Sequence, residues 1–214
     1  MKRHTLPTAA AFAAAAALFL TGCGSGSDSD DKIAGAEQGE SSGQESPEAS
    51  PSSSAEVSDF GLPDDLKVEI SPDKTGNKGK DAVLAAQADV LMARQRLFVD
   101  LDPGSRYLDV YFSGEAQAFY KAQIAAAKKR GKTISGTYRY YDRKVTRHTS
   151  DIALVSYCED QTKAVPKDVK TKKVRPAHPT PEDYTRYETV LKKSPGGVWQ
   201  LDRLSGRSNA SECK

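Results

Sequence analysis

The chain has 214 residues, 37% of them hydrophobic, and a formal net charge of +2 at pH 7. The charge is unevenly distributed: residues 24–59 contain nine acidic residues against one lysine, a net of −8, whereas residues 60–214 contain 28 Lys and Arg against 20 Asp and Glu, a net of +8. A composition this uneven excludes a single packed body over the whole length.

The first segment of the chain has the pattern of a signal peptide. Lys2, Arg3 and His4 form a basic head, and an uncharged apolar run follows at residues 9–20. That run is about half of the roughly 20 residues that a membrane-spanning helix needs. The next residues, Leu-Thr-Gly-Cys at 20–23, resemble the lipobox of bacterial lipoproteins.

The lipobox resemblance implies cleavage before Cys23, so residues 1–22 are interpreted as a lipoprotein signal peptide. Cys23 then carries a thioether-linked diacylglycerol whose two fatty acyl chains, of the palmitate type, hold the protein stably on a membrane. The expected location is the outer face of the cell membrane, lipid-anchored. The alternative is an ordinary secretory signal followed by an unmodified cysteine.

Residues 23–60 are rich in Ser, Gly, Glu, Asp and Pro, with few large apolar side chains. Such a segment buries too little apolar surface to offset its chain entropy, so the sequence predicts a disordered acidic tether. A flexible coil of this length spans on the order of 35 Å. The globular domain is predicted at 61–214.

Two helices are predicted next. Between residues 80 and 101 apolar side chains recur at spacings of three and four, and Pro-Gly at 103–104 ends the pattern. In the second helix Ser113 is the expected N-cap, Glu115 lies in the first turn, and the basic residues 128–130 precede the terminating Gly131.

After Gly131 the hydrophobic period changes to two, which indicates strands. Alternation at 134–140, 152–158, 184–191 and 198–204 predicts four strands, the last two joined by a hairpin turn at 194–197. Helices followed by strands predict an α+β fold with an antiparallel sheet. Residues 161–181 are interpreted as a long basic loop, whose candidate anion-binding residues are Lys163, Lys167, Lys170, Lys172, Lys173 and Arg175.

Cys158 and Cys213 remain once Cys23 is assigned to lipid. In an oxidising compartment a disulfide between them is the natural interpretation. It would close a loop of about 55 residues, for which chain entropy gives roughly 4 kcal/mol as an upper figure. A redox pair or a metal site is the alternative, although the chain has no C-x-x-C and no cluster of histidines.

The element order resembles a known family. Two helices, the second ending in Lys-Lys-Arg-Gly, precede the strands TISGTYRY and ALVSYCED and the hairpin GGVWQLDRL with a last cysteine. Over about residues 78–214 this resembles lipid-anchored proteins of high-GC Gram-positive bacteria with a nuclear transport factor 2-like (SnoaL-like) domain. The resemblance implies a cone-shaped α+β fold in which N-terminal helices pack on a curved antiparallel sheet around a conical cavity.

Enzymes of that fold use a carboxylate in an apolar pocket beside a tyrosine. Asp142, Glu159 and Asp160 lie at predicted strand ends, and four tyrosines are placed to line the cone: Tyr138, Tyr140, Tyr157 and Tyr187. None of them matches a family catalytic motif, so no catalytic residue, metal or cofactor is predicted. A closed apolar cone with one buried carboxylate near a Tyr would favour catalysis, and a cone filled by Phe119, Tyr138, Trp199 and Leu201 would exclude it.

The functional hypothesis is a lipid-anchored extracytoplasmic binding or accessory module without catalytic activity. Its expected partners are the membrane, through the anchor, and an anionic cell-wall polymer or a membrane protein, and no nucleic acid is expected. The alternatives are an isomerase- or cyclase-type enzyme that uses a pocket carboxylate and a Tyr, and a structural subunit that regulates a neighbouring membrane enzyme or receptor.

Overall fold

The computed structural model describes residues 60–214, so the predicted signal peptide, Cys23 and nearly all of the predicted tether lie outside the described residues. Five strands and three helices are joined by short connections. In chain order they are β1 (Leu66–Ile70), α1 (Lys78–Asp100), α2 (Arg106–Tyr111), α3 (Gly114–Arg130), β2 (Lys132–His148), β3 (Ile152–Asp168), β4 (Tyr184–Lys193) and β5 (Trp199–Ser208). Two single-turn 3₁₀ helices, Pro181–Asp183 and Ser211–Cys213, complete the fold.

Both predicted helices are confirmed, and α3 ends at the predicted Gly131, whereas α1 ends at Asp100, before the predicted Pro-Gly, with Leu101 as its C-cap. The side chain of Asn77 accepts from the backbone N–H of Lys80 and caps α1, which the sequence pattern placed two residues later. Ser113 is the N-cap of α3, although its side chain makes no capping hydrogen bond. Gly131 adopts φ 62° and ends α3 through hydrogen bonds from its N–H to the carbonyls of Ala127 and Lys128, because glycine tolerates the left-handed conformation.

The sheet has the strand order β1-β2-β3-β4-β5, so β1 and β5 are its edges. The four predicted strands are present as β2 to β5 and pair antiparallel, but β1 was not predicted and pairs parallel to β2. The predicted antiparallel sheet is therefore confirmed for β2 to β5, and β1 adds a parallel strand at one edge. A five-residue strand that precedes a helix gives too short an alternation to be distinguished from a loop. The six-residue α2 was missed for the same reason.

The predicted basic loop at 161–181 is wrong over its first eight residues. β3 continues to Asp168 and pairs with the start of β2, where Lys132 lies opposite Asp168 and Gly136 opposite Ala164. Thr162, Ala164 and Val165 are compatible with a strand, but the interspersed lysines hide the alternation. Only residues 169–180 connect β3 to the 3₁₀ turn before β4.

The sheet is strongly curved and does not close, with the helices packed against it. Register shifts in β2, between Thr137 and Arg139, between Tyr141 and Lys144 and between Val145 and Arg147, bend this 17-residue strand. The predicted α+β class, with helices packed on a curved sheet, is thus confirmed. No helix among residues 60–214 is both long and apolar enough to cross a bilayer.

Two features fix the limits of the described domain. Phe60, which was assigned to the tether, is only 4% exposed and packs on Tyr107 and Tyr111 of α2, so the core begins at or before this residue. At the other end, Cys158 on β3 and Cys213 in the last 3₁₀ turn form the predicted disulfide, with their Cα atoms 5.5 Å apart. The disulfide therefore fastens the C-terminus to the middle of the sheet.

Candidate functional site

A buried acidic residue lies at the centre of the sheet. Glu159 was expected at a strand end, but because β3 runs on to Asp168 it lies in mid-strand. Its side chain is fully buried and shares one face of β3 with Val155 and Tyr157, at intervals of two residues. A fully buried carboxylate needs a partner of opposite charge or several hydrogen bonds.

Arg94 of α1 provides that charge. Its guanidinium donates from Nη1 to Oε1 of Glu159 at 2.6 Å and to the hydroxyl of Tyr140 at 2.9 Å. The Tyr140 hydroxyl in turn donates to the same Oε1 at 2.9 Å and accepts from the side-chain amide of Gln95. Arg94 and Tyr140 thus both bind one carboxylate oxygen, and Gln95 holds the tyrosine hydroxyl.

Burial and charge shift the titration of the groups around this carboxylate. Burial by itself lowers the pKa of Arg94, but the combined effects of Glu159 and the neighbouring phenols of Tyr140, Tyr120 and Tyr187 outweigh it, so the pKa lies well above its usual value. Burial raises the pKa of Tyr140 and Tyr157 well above the usual value, against an opposing effect of Arg94. For Tyr138 burial raises the pKa to about 12. The phenols therefore remain neutral hydrogen-bonding groups at physiological pH.

Aromatic rings occupy the space around the Arg94–Glu159 pair. Tyr157 makes an edge contact with Tyr140, with ring centroids 6.1 Å apart, and stacks on Tyr187 at 5.1 Å. The Arg94 guanidinium lies 6.0 Å from the centroid of the Tyr187 ring. Oε2 of Glu159 is buried and has no hydrogen-bond partner among the described residues. Burial raises the pKa of Tyr187, and Glu159 adds to that rise against an opposing effect of Arg94.

The interior matches neither the arrangement that would favour catalysis nor the one that would exclude it. A buried carboxylate does lie beside a tyrosine, but it is paired with an arginine and surrounded by rings. Of the four residues whose packing inside the cone would have excluded catalysis, Tyr138, Trp199 and Leu201 are buried, whereas Phe119 is 45% exposed. Trp199 belongs to a separate cluster with Val83 and Leu84 of α1, away from Glu159.

An open groove lies between α3 and the strands β4 and β5, with a volume of about 390 Å³. We call it the β5 groove, and it is lined by Glu115, Phe119, Thr185, Tyr187, Leu204, Gly206 and Ser208. Thr185 is the cross-strand neighbour of Glu159, and Gly206 that of Tyr187. The groove therefore lies directly beside the buried pair, and Tyr187 is the residue common to both.

The other two candidate carboxylates are not part of this site. Asp142 lies on a β2 bulge with φ 50° and pairs with Lys144 and Arg186. Asp160 pairs with Arg139 at 3.2 Å and, one residue after Glu159 on a strand, its side chain points to the opposite face. Both carboxylates thus belong to ion pairs on the outer side of the sheet.

The structure separates the six candidate anion-binding cations. Lys163 and Lys167 lie on β3, and Lys167 pairs with Asp65 at 2.5 Å. The other four lie in the connection after β3 and are exposed, namely Lys170, Lys172, Lys173 and Arg175.

Sequence reasoning missed the polar residues of α1 that face the interior. Gln87 and Gln95 are 2% and 1% exposed, and Arg94 extends into the same interior to reach Glu159. A signal was present, because positions 87, 94 and 95 lie three or four residues from Leu91 and so share its face of the helix. Polar side chains at such positions are predicted to be solvated unless a partner on another element is known.

No family model matches this chain, and no curated protein matches it. Among solved structures, a ketosteroid isomerase-like protein from Erwinia carotovora atroseptica is 18% identical, covering 62% of this chain and 97% of its own, with a TM-score of 0.41. A putative scytalone dehydratase from Novosphingobium aromaticivorans is 14% identical over 61% and 86%, with a TM-score of 0.43.

The intermembrane space region of the chloroplast protein ARC6 is 16% identical, covering 58% of this chain and 95% of its own, with a TM-score of 0.38. These similarities are low in both sequence and TM-score, so none of them assigns an activity to this chain.

Among residues 60–214 no group of three or more His, Cys, Asp or Glu side chains is placed to hold a metal ion.

Proposed function

We propose that the chain is a lipid-anchored extracytoplasmic binding module without catalytic activity. The leader and the Cys23 context support the anchor. The β5 groove supports a binding role, since Phe119 and Tyr187 provide aromatic surface there and Glu115, Thr185 and Ser208 provide polar groups.

The observation that carries the non-catalytic part is the pairing of Glu159 with Arg94 at 2.6 Å. A general base must accept a proton in a space that admits substrate. Proton uptake by a carboxylate in such a pair would leave a guanidinium buried without its partner, which is costly. The surrounding tyrosine rings also occupy the space that a substrate would need.

One observation favours the enzyme alternative. Oε2 of Glu159 is buried without a hydrogen-bond partner among the described residues, and the hydroxyl of Tyr140 lies 2.9 Å from the other oxygen. A carboxylate beside a tyrosine is the pair of groups that isomerase-type chemistry uses. In a binding module Glu159 serves the stability of the domain, whereas in an enzyme it must transfer a proton.

The experiment compares the loss of one charge of the pair with the loss of both. For the structural role, Glu159→Gln lowers the free energy of unfolding by about 3–5 kcal/mol, because it leaves Arg94 buried with its charge unpaired. The apolar replacement R94M/E159L recovers most of that loss. Unfolding in guanidinium chloride, followed by circular dichroism, measures both effects.

The matched control is Glu69→Gln, which removes the carboxylate of exposed ion pairs with Lys67 and Arg139 and leaves stability nearly unchanged. If E159Q were as stable as the unmodified chain, the pair would have no structural role. That result would favour the enzyme alternative.

A further inference from the structure

Two basic segments that are distant in sequence meet at one end of the sheet. The last turn of α3 carries Lys128, Lys129 and Arg130, all exposed. The backbone N–H of Val169, just after β3, donates to the carbonyl of Gly131 at 3.0 Å, which brings the connection after β3 against the end of α3. We call the joined surface the basic end, and it comprises Lys128, Lys129, Arg130, Lys170, Lys172, Lys173 and Arg175.

Asp168 holds the second segment in a fixed turn. Its carboxylate accepts from the backbone N–H groups of Lys170 and Thr171 at 3.1 and 2.8 Å, and it pairs with Lys132 at 3.0 Å. The one acidic side chain at the turn is thus engaged with the backbone and with a lysine outside the basic end. Within residues 60–214 no ion pair joins a cation of the basic end to a carboxylate, so its positive charge is available to a partner.

Apolar surface lies among these cations. Val174, between Lys173 and Arg175, is 52% exposed and forms an isolated bridge with Lys167. A groove of about 320 Å³ opens at the same end, with Arg130 and Lys132 in its lining. Its apolar lining consists of Phe98, Ala127, Ile134, Tyr138, Ala164, Val165 and Pro166, and Asp183 is its acidic member.

We propose that the basic end is a membrane-contact surface that lies on an anionic phospholipid bilayer. Clustered Lys and Arg attract an anionic bilayer surface, and an exposed valine with an apolar groove between them suits the boundary between headgroups and acyl chains. A soluble anionic polymer would use the cations alone. The proposal rests on the proposed function only for the anchor that keeps the domain beside a membrane, because the contact itself needs no lipid on Cys23.

The test uses the mature chain, residues 23–214, carrying C23S so that no attached lipid contributes. Binding is measured by co-sedimentation with vesicles of phosphatidylcholine alone and of phosphatidylcholine and phosphatidylglycerol in equal parts. We expect binding to the anionic vesicles only, weakening as salt rises because the attraction is screened. Binding that is equal on both vesicles, or absent from both, would overturn the proposal.

Two charge-matched variants locate the surface. Removing four cations of the basic end with K170Q/K172Q/K173Q/R175Q lowers affinity for anionic vesicles on the order of 1,000-fold. The control K74Q/K78Q/K121Q/R147Q removes the same charge from exposed positions elsewhere, and it retains at least ten times more of the affinity. Equal losses in the two variants would show that net charge, rather than this surface, drives binding.

Val174→Ser separates a bilayer from a polymer. We expect it to weaken vesicle binding several-fold without changing the salt dependence, because it removes only apolar contact. Binding to polyphosphate, a soluble anionic polymer, is expected to be unaffected by V174S and weaker than binding to vesicles. If V174S left vesicle binding unchanged and polyphosphate bound as tightly as vesicles, the surface would be a polymer site and the bilayer proposal would be wrong.

Failure of this proposal is distinguishable from failure of the proposed function. The vesicle experiment uses an unlipidated chain, so its outcome does not depend on whether Cys23 is modified in cells. The unfolding experiment on Arg94 and Glu159 probes the interior of the domain, where no residue of the basic end lies.

Discussion

At the scale of single residues, Asp168 shows how one carboxylate organises a surface segment. Hydrogen bonds from the backbone and side chain of Thr171 and from Lys132 lower the pKa of this carboxyl well below its ordinary value of 3.8. A group whose pKa is lower in the folded state contributes stability above its unfolded pKa and loses it as pH falls toward the folded value. The contribution of Asp168 is therefore complete near neutral pH and declines below about pH 4.

The substitution D168N tests this pH dependence. It removes the negative charge that Lys132 and the turn amides bind, so we expect a lower unfolding midpoint at pH 7. The difference from the unmodified chain should shrink as pH falls below about 4, because the carboxyl of the unfolded chain is protonated first and that of the folded chain only at lower pH. Thermal unfolding from pH 7 to pH 2 measures it.

Asp64→Asn serves as the comparison, since Asp64 is exposed and accepts none of the side-chain hydrogen bonds found at Asp168. If the unfolding midpoint of D168N stayed below that of the unmodified chain by a constant amount from pH 7 to pH 2, side-chain shape rather than charge would account for the effect.

At the scale of elements, the junction of β1, β2 and β3 depends on one glycine. Gly136 has φ 82°, and its backbone N–H donates to the carbonyl of Asp65 at 2.8 Å, immediately before β1. A Cβ at this position would clash with the carbonyl oxygen of Lys163 on β3. Glycine is thus required here both for its conformation and for the close approach of two strands.

A matched pair of substitutions separates these two requirements. Gly197 in the β4–β5 turn has φ 83°, but a Cβ there would meet no atom within 4 Å. We expect G197A to cost about 1–3 kcal/mol from backbone strain alone. G136A should cost clearly more, because the strands must also separate. Chemical unfolding of both variants measures the difference, and equal costs would show that the β2–β3 contact relaxes freely.

At the scale of the whole molecule, charge and anchoring are linked by sequence position. Residues 24–59 carry a net charge of −8 and join the predicted lipid site to a domain with a net charge of +8. Near an anionic membrane such an acidic segment is repelled while the basic end is attracted. The charge pattern therefore favours a domain that returns to the membrane by its own surface.

Replacing Cys23 with Ala tests the anchor. Without a thiol no diacylglycerol can be attached, and we expect the protein to leave the membrane fraction largely or completely in high salt, where the basic end is screened. Cell fractionation followed by immunoblotting measures this, with the unmodified chain in high salt as the control. Retention of C23A in salt-washed membranes would contradict lipidation as the anchor.

The sequence determined those features that depend on neighbours along the chain. Gly131 ends α3, and the alternation at 152–158 and 184–191 forms two paired strands. The disulfide between Cys158 and Cys213 could be predicted once Cys23 was assigned to lipid. Each prediction follows from a helix cap, a hydrophobic period or a count of cysteines. Caps and periods act within a few residues, and a count needs no geometry. The unequal charge of the two parts is likewise a property of the sequence alone.

Only the tertiary structure decided the site. Arg94 and Glu159 are 65 residues apart in the sequence. They meet because the bulged β2 curves the sheet around α1 and Glu159 lies in the middle of β3. The basic end likewise joins the last turn of α3 to the turn after β3 through one backbone hydrogen bond. Such contacts depend on strand register and helix placement, which are set by the packing of the whole domain, so no local pattern in the sequence specifies them.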